Sequence, residues 1–77
     1  MLTTGERLDA LITDNDKTKP EVADALQISR MQLYKWRNDK AEMTIDKLRA
    51  ICEYFQVSAD YLLGLPPDLN WPRIEKN

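Results

Sequence analysis

The chain has 77 residues and a net charge of −2, and this length suits a single domain. Because it contains one cysteine and no histidine, it can form neither an intramolecular disulfide nor a zinc site. Apolar residues make up 43% of the sequence, which suffices for a packed core. No apolar run approaches the ~20 residues of a membrane span, and the N-terminus lacks a signal-peptide pattern. We therefore expect a cytoplasmic protein. Without a histidine base, a glycine-rich phosphate loop or a GxSxG elbow, the chain is predicted not to be an enzyme and to bind no cofactor or metal.

The beginnings of helices are marked by N-cap residues, whose side-chain oxygens accept from free backbone N–H groups in the first turn. Three pairs match a capping box, in which a Glu or Gln three residues later returns a bond to the cap: Thr3 with Glu6, Thr18 with Glu21, and Ser29 with Gln32. Thr44 and Ser58 are further N-cap candidates. Apolar residues follow the caps at helical spacing. The sequence therefore predicts five helices, over about residues 4–14, 19–26, 30–37, 45–55 and 59–64.

Helix 4 carries the longest apolar stripe of the five helices. One face of this helix holds Ile45, Leu48, Ile51, Cys52 and Phe55, and all five are expected to face the core. Cys52 lies within this stripe, so we interpret it as a small packed side chain and not as a reactive thiol.

The C-terminal end of the chain departs from the helical pattern. Gly64 is expected to end the fifth helix, and the Leu-Pro-Pro sequence that follows cannot continue it. We therefore divide the chain into a helical domain, residues 1–64, and a proline-containing tail, residues 65–77. Trp71 and Ile74 in this tail either pack back on the helices or contact a partner.

The connection between helices 2 and 3 carries the most information about the fold. Only Gln27 and Ile28 separate Leu26, the last apolar residue of helix 2, from the cap Ser29. So short a connection makes two short helices cross steeply, as they do in a helix-turn-helix. The predicted fold is thus all-α, a compact five-helix bundle with a central helix-turn-helix, in which Ile28 points inward.

Helix 3 has an apolar face and a polar face. Leu33 and Trp36 form the apolar face and are expected in the core. The opposite face carries long side chains that suit the major groove of DNA, where Arg pairs with guanine, Gln with adenine, and an apolar group such as that of Met with the thymine methyl. The candidate base-reading residues are Arg30, Met31, Gln32, Tyr34 and Lys35.

Positive charge is concentrated around this helix. Residues 17–40 contain six basic and three acidic residues, whereas the rest of the chain contains five basic and ten acidic residues. The cluster either binds a polyanion such as DNA or is a chance grouping on a solvated face, and the acidic character of other solvent faces favours DNA. Its basic residues are Lys17, Lys19, Arg30, Lys35, Arg37 and Lys40.

The stretch TKPEVADALQISRMQLYKWRND, followed by LRAICEYFQVSADYLLG, resembles the phage Cro/CI-type repressors, the XRE-like helix-turn-helix family. The resemblance runs from about Thr4 to Gly64. It implies a lambda-repressor-like DNA-binding domain, in which helix 3 lies in the major groove and helix 2 braces it across the DNA backbone. The positions that reach base edges in this family correspond to Arg30, Met31, Gln32 and Lys35, and Tyr34 faces the same groove.

The resemblance also implies contacts with the DNA backbone. Lys19 matches a position that touches phosphate or a neighbouring side chain, and Asn38 matches one that often binds phosphate. The backbone amides that follow Thr44 at the start of helix 4 can hold a further phosphate. The full set of phosphate candidates is Lys17, Lys19, Arg37, Asn38, Lys40 and Thr44.

Several positions depart from the family pattern. Gln27 and Asp39 stand where glycine is common, and a left-handed backbone at Gln27 would cost about 1 kcal/mol, so we expect a slightly different turn. Lys17 replaces a leucine that is usually buried, and this change is expected to loosen the connection between helices 1 and 2.

A further departure concerns the pairing of helix 1 with helix 3. Many family members pair an Arg in helix 1 with a Glu at the end of helix 3, and the matching positions here are Ile12 and Arg37. We therefore expect this ion pair to be absent and Ile12 to join the core. Because an unpaired buried Arg is costly, Arg37 must reach solvent, phosphate or a carboxylate of helix 1; we expect solvent or phosphate.

These features together predict a sequence-specific DNA-binding transcriptional regulator, a repressor that acts as a homodimer on an inverted-repeat operator. The alternative is an antitoxin-like or other protein-interaction module of the same fold, which binds a protein partner through its C-terminal tail. A third possibility is that the chain is the N-terminal part of a longer repressor, with the tail as a linker.

Overall fold

Helices account for the regular structure of this protein. A computed structural model describes residues 2–65, which form α1 (Thr4–Asp14), α2 (Lys19–Leu26), α3 (Arg30–Arg37), α4 (Ile45–Phe55) and α5 (Ala59–Leu63). No strand occurs in this range, so the predicted all-α fold is confirmed. The predicted bounds agree with the structure except at helix 5, which ends one residue early because Gly64 forms its C-cap. The tail residues beyond Leu65, with Trp71 and Ile74, lie outside the described residues.

The described helices are all short. None of those within residues 2–65 has the length and apolar character needed to cross a membrane. All five begin at the predicted N-caps, and in each the cap oxygen accepts from the N–H three residues later at 3.0–3.2 Å. The reciprocal bond of a capping box forms at α1 and α2. At α3 the Gln32 side chain does not return a bond to Ser29, so the third predicted box is wrong and the Gln32 amide is left for other partners.

A single apolar core joins the helices, and each of them contributes to it. Leu33 and Trp36 of α3 are among its most buried members, with 1% and 3% of their surface exposed, and Ile12 is buried as predicted. Ile45 is instead 75% exposed, so its predicted place in the core is wrong: it is the first residue of α4 and lies where no other described helix covers it. The buried side chains are Leu8, Leu11, Ile12, Val22, Ala23, Leu26, Leu33, Trp36, Ile51, Phe55 and Leu62.

Each of the four connections between the five described helices contains a non-glycine residue with left-handed backbone. The non-glycine residues that adopt it are Asp16, Gln27, Asp39 and Gln56, with φ between 55° and 57°. Each reverses the chain just after a helix, so that the next amide bonds back to the carbonyl five residues earlier, as in Lys40 N–H to Lys35 O at 2.8 Å. A side chain makes this conformation cost about 1 kcal/mol or more. The short connections are therefore formed at some cost to stability.

The first turn of α1 packs directly on the end of α3. A Cβ atom at Gly5 would lie 2.5 Å from the carbonyl oxygen of Trp36 and 2.6 Å from that of Arg37, so only glycine permits this approach. The Asp39 carboxylate binds the same turn: it accepts from the Gly5 N–H at 3.0 Å and from the Thr3 hydroxyl at 2.5 Å. The N-terminus of α1 and the C-terminus of α3 are thus held as one unit.

Cys52 packs against the core from a partly buried position. Burial raises the pKa of its thiol, and the neighbouring Glu53 carboxylate adds to the increase. The reactive thiolate is therefore disfavoured at neutral pH, as expected of a packing side chain.

We expect Gly5→Ala to lower the free energy of unfolding by about 1–3 kcal/mol, because the α3 backbone cannot move aside as a flexible side chain does. Urea unfolding at neutral pH measures this change. Asp14→Ala is the matched control: it replaces an exposed residue of the same helix and should alter stability by less than about 0.5 kcal/mol. If Gly5→Ala is as stable as the wild type or more so, as intrinsic helix propensity alone favours, the close approach of α1 to α3 is not a constraint.

Candidate nucleic-acid interface

The α2–α3 pair forms the predicted helix-turn-helix. Gln27 is left-handed, with φ 57° and ψ 46°, and the Ile28 N–H donates to the Ala23 carbonyl at 3.0 Å. The Ile28 side chain packs against the core, as predicted. The expectation that Gln27 would change the turn is wrong, because the chain keeps the left-handed conformation and bears the strain. The connection is therefore as tight as a glycine would make it.

A lysine of α4 supports the same turn. Lys47 Nζ donates to the Leu26 carbonyl oxygen at 2.7 Å in a partly buried position. The last carbonyls of a helix lack intrahelical partners and carry the negative end of its dipole, so an ammonium group stabilises them. No feature of the sequence indicates this contact, since 21 positions separate the two residues and only tertiary packing brings them together.

α3 turns its polar face to solvent because Leu33 and Trp36 anchor its other face in the core. The predicted rotation of the helix is therefore confirmed. Met31 and Tyr34 keep 61% and 46% of their surface exposed, which places apolar groups beside hydrogen-bond donors. Of the predicted base-reading residues, Gln32 is half-buried and the other four are exposed: Arg30, Met31, Tyr34 and Lys35.

The polar groups of this face are not used within the protein. The side chains of Arg30, Gln32 and Lys35 form no hydrogen bond or ion pair with any residue in the range 2–65. α3 itself contains no acidic residue, so its cations are not neutralised from within the helix. The face can therefore donate to external acceptors such as phosphate oxygens and the edges of bases.

The predicted phosphate-binding residues lie on either side of this face and differ in their freedom. Lys19, in the first turn of α2, and Lys40, just beyond α3, are exposed. Asn38 Nδ2 donates to the Tyr34 carbonyl at 2.9 Å, so this amide helps to end α3. Thr44 Oγ1 accepts the N-cap bond of α4, which leaves only the neighbouring backbone amides for an anion.

Lys17 is occupied by contacts within the protein. Its Nζ lies 3.9 Å from Glu21 Oε2 and 5.3 Å from the centre of the Tyr54 ring, which combines an ion pair with a cation–π contact. These contacts tie the α1–α2 connection, predicted to be loose, to α2 and α4. A phosphate would have to compete with Glu21 for this ammonium.

Arg37 differs from the expectation in its partner. Its Nε donates to Asp9 Oδ1 at 2.7 Å, so the prediction that it would turn to solvent or phosphate in preference to a carboxylate of helix 1 is wrong. The family pair itself is absent, as predicted, because its position on α1 holds the buried Ile12. An ion pair from another position joins the two helices instead, with the acid on α1 and the base on α3, the reverse of the family arrangement. The sequence allows a carboxylate of helix 1 as a partner, but the family pattern points to position 12 and gives no reason to choose Asp9.

The arrangement has a counterpart among protein families. Residues 7–68 match the model of the Cro/C1-type HTH DNA-binding domain, a stretch that includes the whole of α2, the turn and α3. The chain belongs to this family. It is thus a DNA-binding domain of the helix-turn-helix type, and the resemblance drawn from the sequence is confirmed.

Among curated proteins, the domain is similar to the HTH-type transcriptional activator BcrR of Enterococcus faecalis. The two are 33% identical over 59 residues, which make up 77% of this chain and 29% of BcrR. The chain therefore spans less than a third of the length of this relative, and the similarity concerns the helix-turn-helix part.

Solved structures share the fold. The P22 c2 repressor, solved in complex with the synthetic operator 9T, matches with a TM-score of 0.77 and 24% identity, over 82% of this chain and 96% of that chain. A transcriptional regulator from Listeria innocua matches with a TM-score of 0.78 and 21% identity, over 92% of this chain and 65% of that one. At these identities the likeness is one of fold.

We expect Gln27→Gly to raise the free energy of unfolding by about 0.5–1 kcal/mol, because glycine adopts the left-handed conformation without the steric cost of a Cβ atom. Thermal and urea unfolding measure the change. Ala25→Gly, at an exposed position inside α2, is the matched control and should instead destabilise by about 1 kcal/mol. Equal losses of stability in the two variants would mean that the turn at Gln27 is not strained.

Proposed function

We propose that the chain is the sequence-specific DNA-binding domain of a transcriptional regulator, a repressor, and that α3 enters the major groove of its operator. The observation that carries this proposal is the outer face of α3, where donors that have no partner among residues 2–65 lie beside exposed apolar groups. A helix of this kind fits the major groove, whose base edges offer acceptors and thymine methyl groups. The proposed action is binding, and it assigns the chain no catalytic step.

The proposed contacts fall into two groups. Base edges are read from α3, with Arg30 and Gln32 as the most specific readers because their side chains can form two hydrogen bonds to one base. The DNA backbone is held by residues on either side, which set the position of α3 without reading sequence. The base-reading set is Arg30, Met31, Gln32, Tyr34 and Lys35, and the backbone set is Lys19, Asn38, Lys40 and the amides after Thr44, with Lys17 as a weaker member.

The regulator is proposed to act as a homodimer. One α3 reads only a few base pairs, whereas two copies about 34 Å apart read an inverted repeat on one side of the duplex. We propose α5 and the residue that follows its C-cap as the dimer surface, since Tyr61 and Leu63 of α5 and Leu65 just beyond it keep 43%, 44% and 43% of their surface exposed. This apolar surface lies outside the α2–α3 pair, so a dimer formed through it does not use the face proposed to enter the groove.

The remaining parts of the proposal follow from this role. We propose that residues 1–64 form the helical domain. We also propose a cytoplasmic location, because an operator is reached only in the compartment that holds the DNA.

The second candidate function, an antitoxin-like module that binds a protein partner, relies on the tail from Leu65 to Asn77. Residues 66–77 of that tail lie outside the described residues. DNA binding is the first candidate because the outer face of α3 carries exposed donors and apolar groups that suit the major groove.

Selection of bound sequences from random duplex DNA at moderate salt tests the proposal directly. We expect an inverted repeat to be enriched by the wild type, and Gln32→Ala to enrich the same repeat with one position of each half-site relaxed. Such a result identifies a dimeric sequence reader and fixes the position of α3 in the groove. If neither protein enriches any sequence above background, the chain is not a sequence-specific regulator.

Arg30→Ala is expected to abolish specific binding while the free energy of unfolding changes by less than about 1 kcal/mol, because Arg30 is exposed and forms no contact that folding needs. Binding is measured on the selected duplex and stability by urea unfolding. Arg49→Ala, which removes an exposed arginine from α4, should leave sequence preference intact. A large loss of stability in Arg30→Ala would assign Arg30 a structural role.

Lys19→Ala is expected to weaken binding to all sequences alike. Removal of one phosphate contact should make the negative slope of log K against log salt concentration shallower by about 0.9. Gln32→Ala serves as the opposite case, since it should change sequence preference and leave the slope unaltered. A change of sequence preference in Lys19→Ala would mean that this lysine reads bases.

A further inference from the structure

The Asp9–Arg37 ion pair lies at the C-terminal end of α3, next to the outer face that carries the proposed base-reading residues, which we call the reading face. Arg37 follows Arg30 by seven residues, which is about two helical turns, so both side chains leave α3 on the same side. Tyr34 lies between them on that side and is 46% exposed. Arg37 therefore continues the row of reading residues to the C-terminal end of α3, close to the exposed Lys40.

The charge of Arg37 is not available at this end of the row. Its Nε donates to Asp9 Oδ1 at 2.7 Å, and only 19% of the Arg37 side chain is exposed, against 46% of the Asp9 side chain. A phosphate oxygen offers the same kind of acceptor as a carboxylate oxygen, and guanidinium binds both through parallel N–H bonds. The Asp9 carboxylate thus offers Arg37 the same chemistry as a DNA phosphate.

The pair is open to water on the side of Asp9. Because the Asp9 side chain is 46% exposed, the pair stabilises the fold less than a fully buried pair does. Of the atoms of the guanidinium, only Nε has a partner within residues 2–65, and a guanidinium has further N–H groups to offer. Arg37 is mostly enclosed, so leaving it without an acceptor would be costly, but a phosphate oxygen that takes the place of the Asp9 oxygen avoids this cost.

We infer that Asp9 is an intramolecular competitor of DNA: it holds Arg37 and so withholds one cation from the operator backbone. This inference rests on the proposed function. Because phosphate contacts supply most of the sequence-independent affinity of such proteins, the competitor lowers binding to random DNA and to the operator by a similar factor. The domain gives up affinity and is less readily retained on DNA that lacks its operator.

A purely structural role for the pair predicts a result of opposite sign. If Asp9 merely fixed α3 through Arg37, its loss would misplace the reading face and weaken binding to the operator. If Asp9 competes with phosphate, its loss frees Arg37 and strengthens binding. The sign of the change therefore distinguishes the two roles.

The experiment measures binding of the full chain to the selected duplex and to a scrambled duplex over a range of salt concentrations. We expect Asp9→Asn to bind both duplexes about fivefold more tightly, on the order of what one partly exposed ion pair is worth, and to steepen the salt slope by about 0.9 for one added phosphate contact. In an Arg37→Gln background the same Asp9→Asn change should have almost no effect, since the freed cation is then missing.

Two controls separate this effect from its alternatives. Asp14→Asn removes an exposed carboxylate from the same helix and should change affinity by less than twofold, which excludes a general effect of net charge. Thermal unfolding of each variant confirms that the fold is kept, and Asp9→Ser serves as a second variant if Asp9→Asn does not fold.

The outcomes are distinct. The inference is overturned if folded Asp9→Asn binds DNA more weakly than the wild type or equally well. It is also overturned if Asp9→Asn brings an equal gain in the Arg37→Gln background. In both cases the wild type still recognises its operator, so the proposed function stands. Failure of the wild type to prefer the selected duplex overturns the proposed function, and the inference with it.

Discussion

Burial of Leu33 and Trp36 sets the rotation of α3 about its own axis, and the surface that α3 presents follows from that rotation. The two side chains are almost fully enclosed, whereas the residues on the other side of the helix form few contacts with the protein. The outer face of α3 is thus positioned by residues that are themselves buried on the opposite side of the helix. A helix of eight residues is too short to be stable alone, so its shape as well as its place depends on this packing.

The rest of the bundle secures α3 at its two ends. At the N-terminal end, Lys47 stabilises the last carbonyl of α2 and the left-handed Gln27 keeps the connection short. At the C-terminal end, Gly5 lets the α1 backbone approach, and the Asp39 carboxylate binds the first turn of α1. Each end is held by a helix distant in sequence, so the loss of either contact would tilt α3 relative to the rest of the bundle.

The sequence predicted whatever depends on neighbours in the chain. N-caps act over three residues and apolar faces repeat every three or four, so the helix bounds and the buried side of α3 could be derived from the sequence. The contacts that lock the helices together could not, because they join residues 21 to 34 positions apart. The ion pair between α1 and α3 is the clearest case: residues 9 and 12 are one turn apart on α1, so the pair has moved by a turn and exchanged its charges. A family pattern compared position by position does not detect such a displacement.

The left-handed residues that close the connections have a consequence for how the domain can change over time. Asp16, Gln27 and Gln56 each hold a conformation that glycine adopts more easily, and they lie in three separate connections, where mutational effects tend to add. Asp39 is also left-handed, but glycine there would lose the carboxylate bonds to α1. The present sequence is therefore below the stability its backbone allows, as is common in natural proteins. Changes on the outer face of α3 involve little of the core, and any that destabilise can be offset in a loop. The outer face of α3 and the stability of the fold can thus evolve in different parts of the chain.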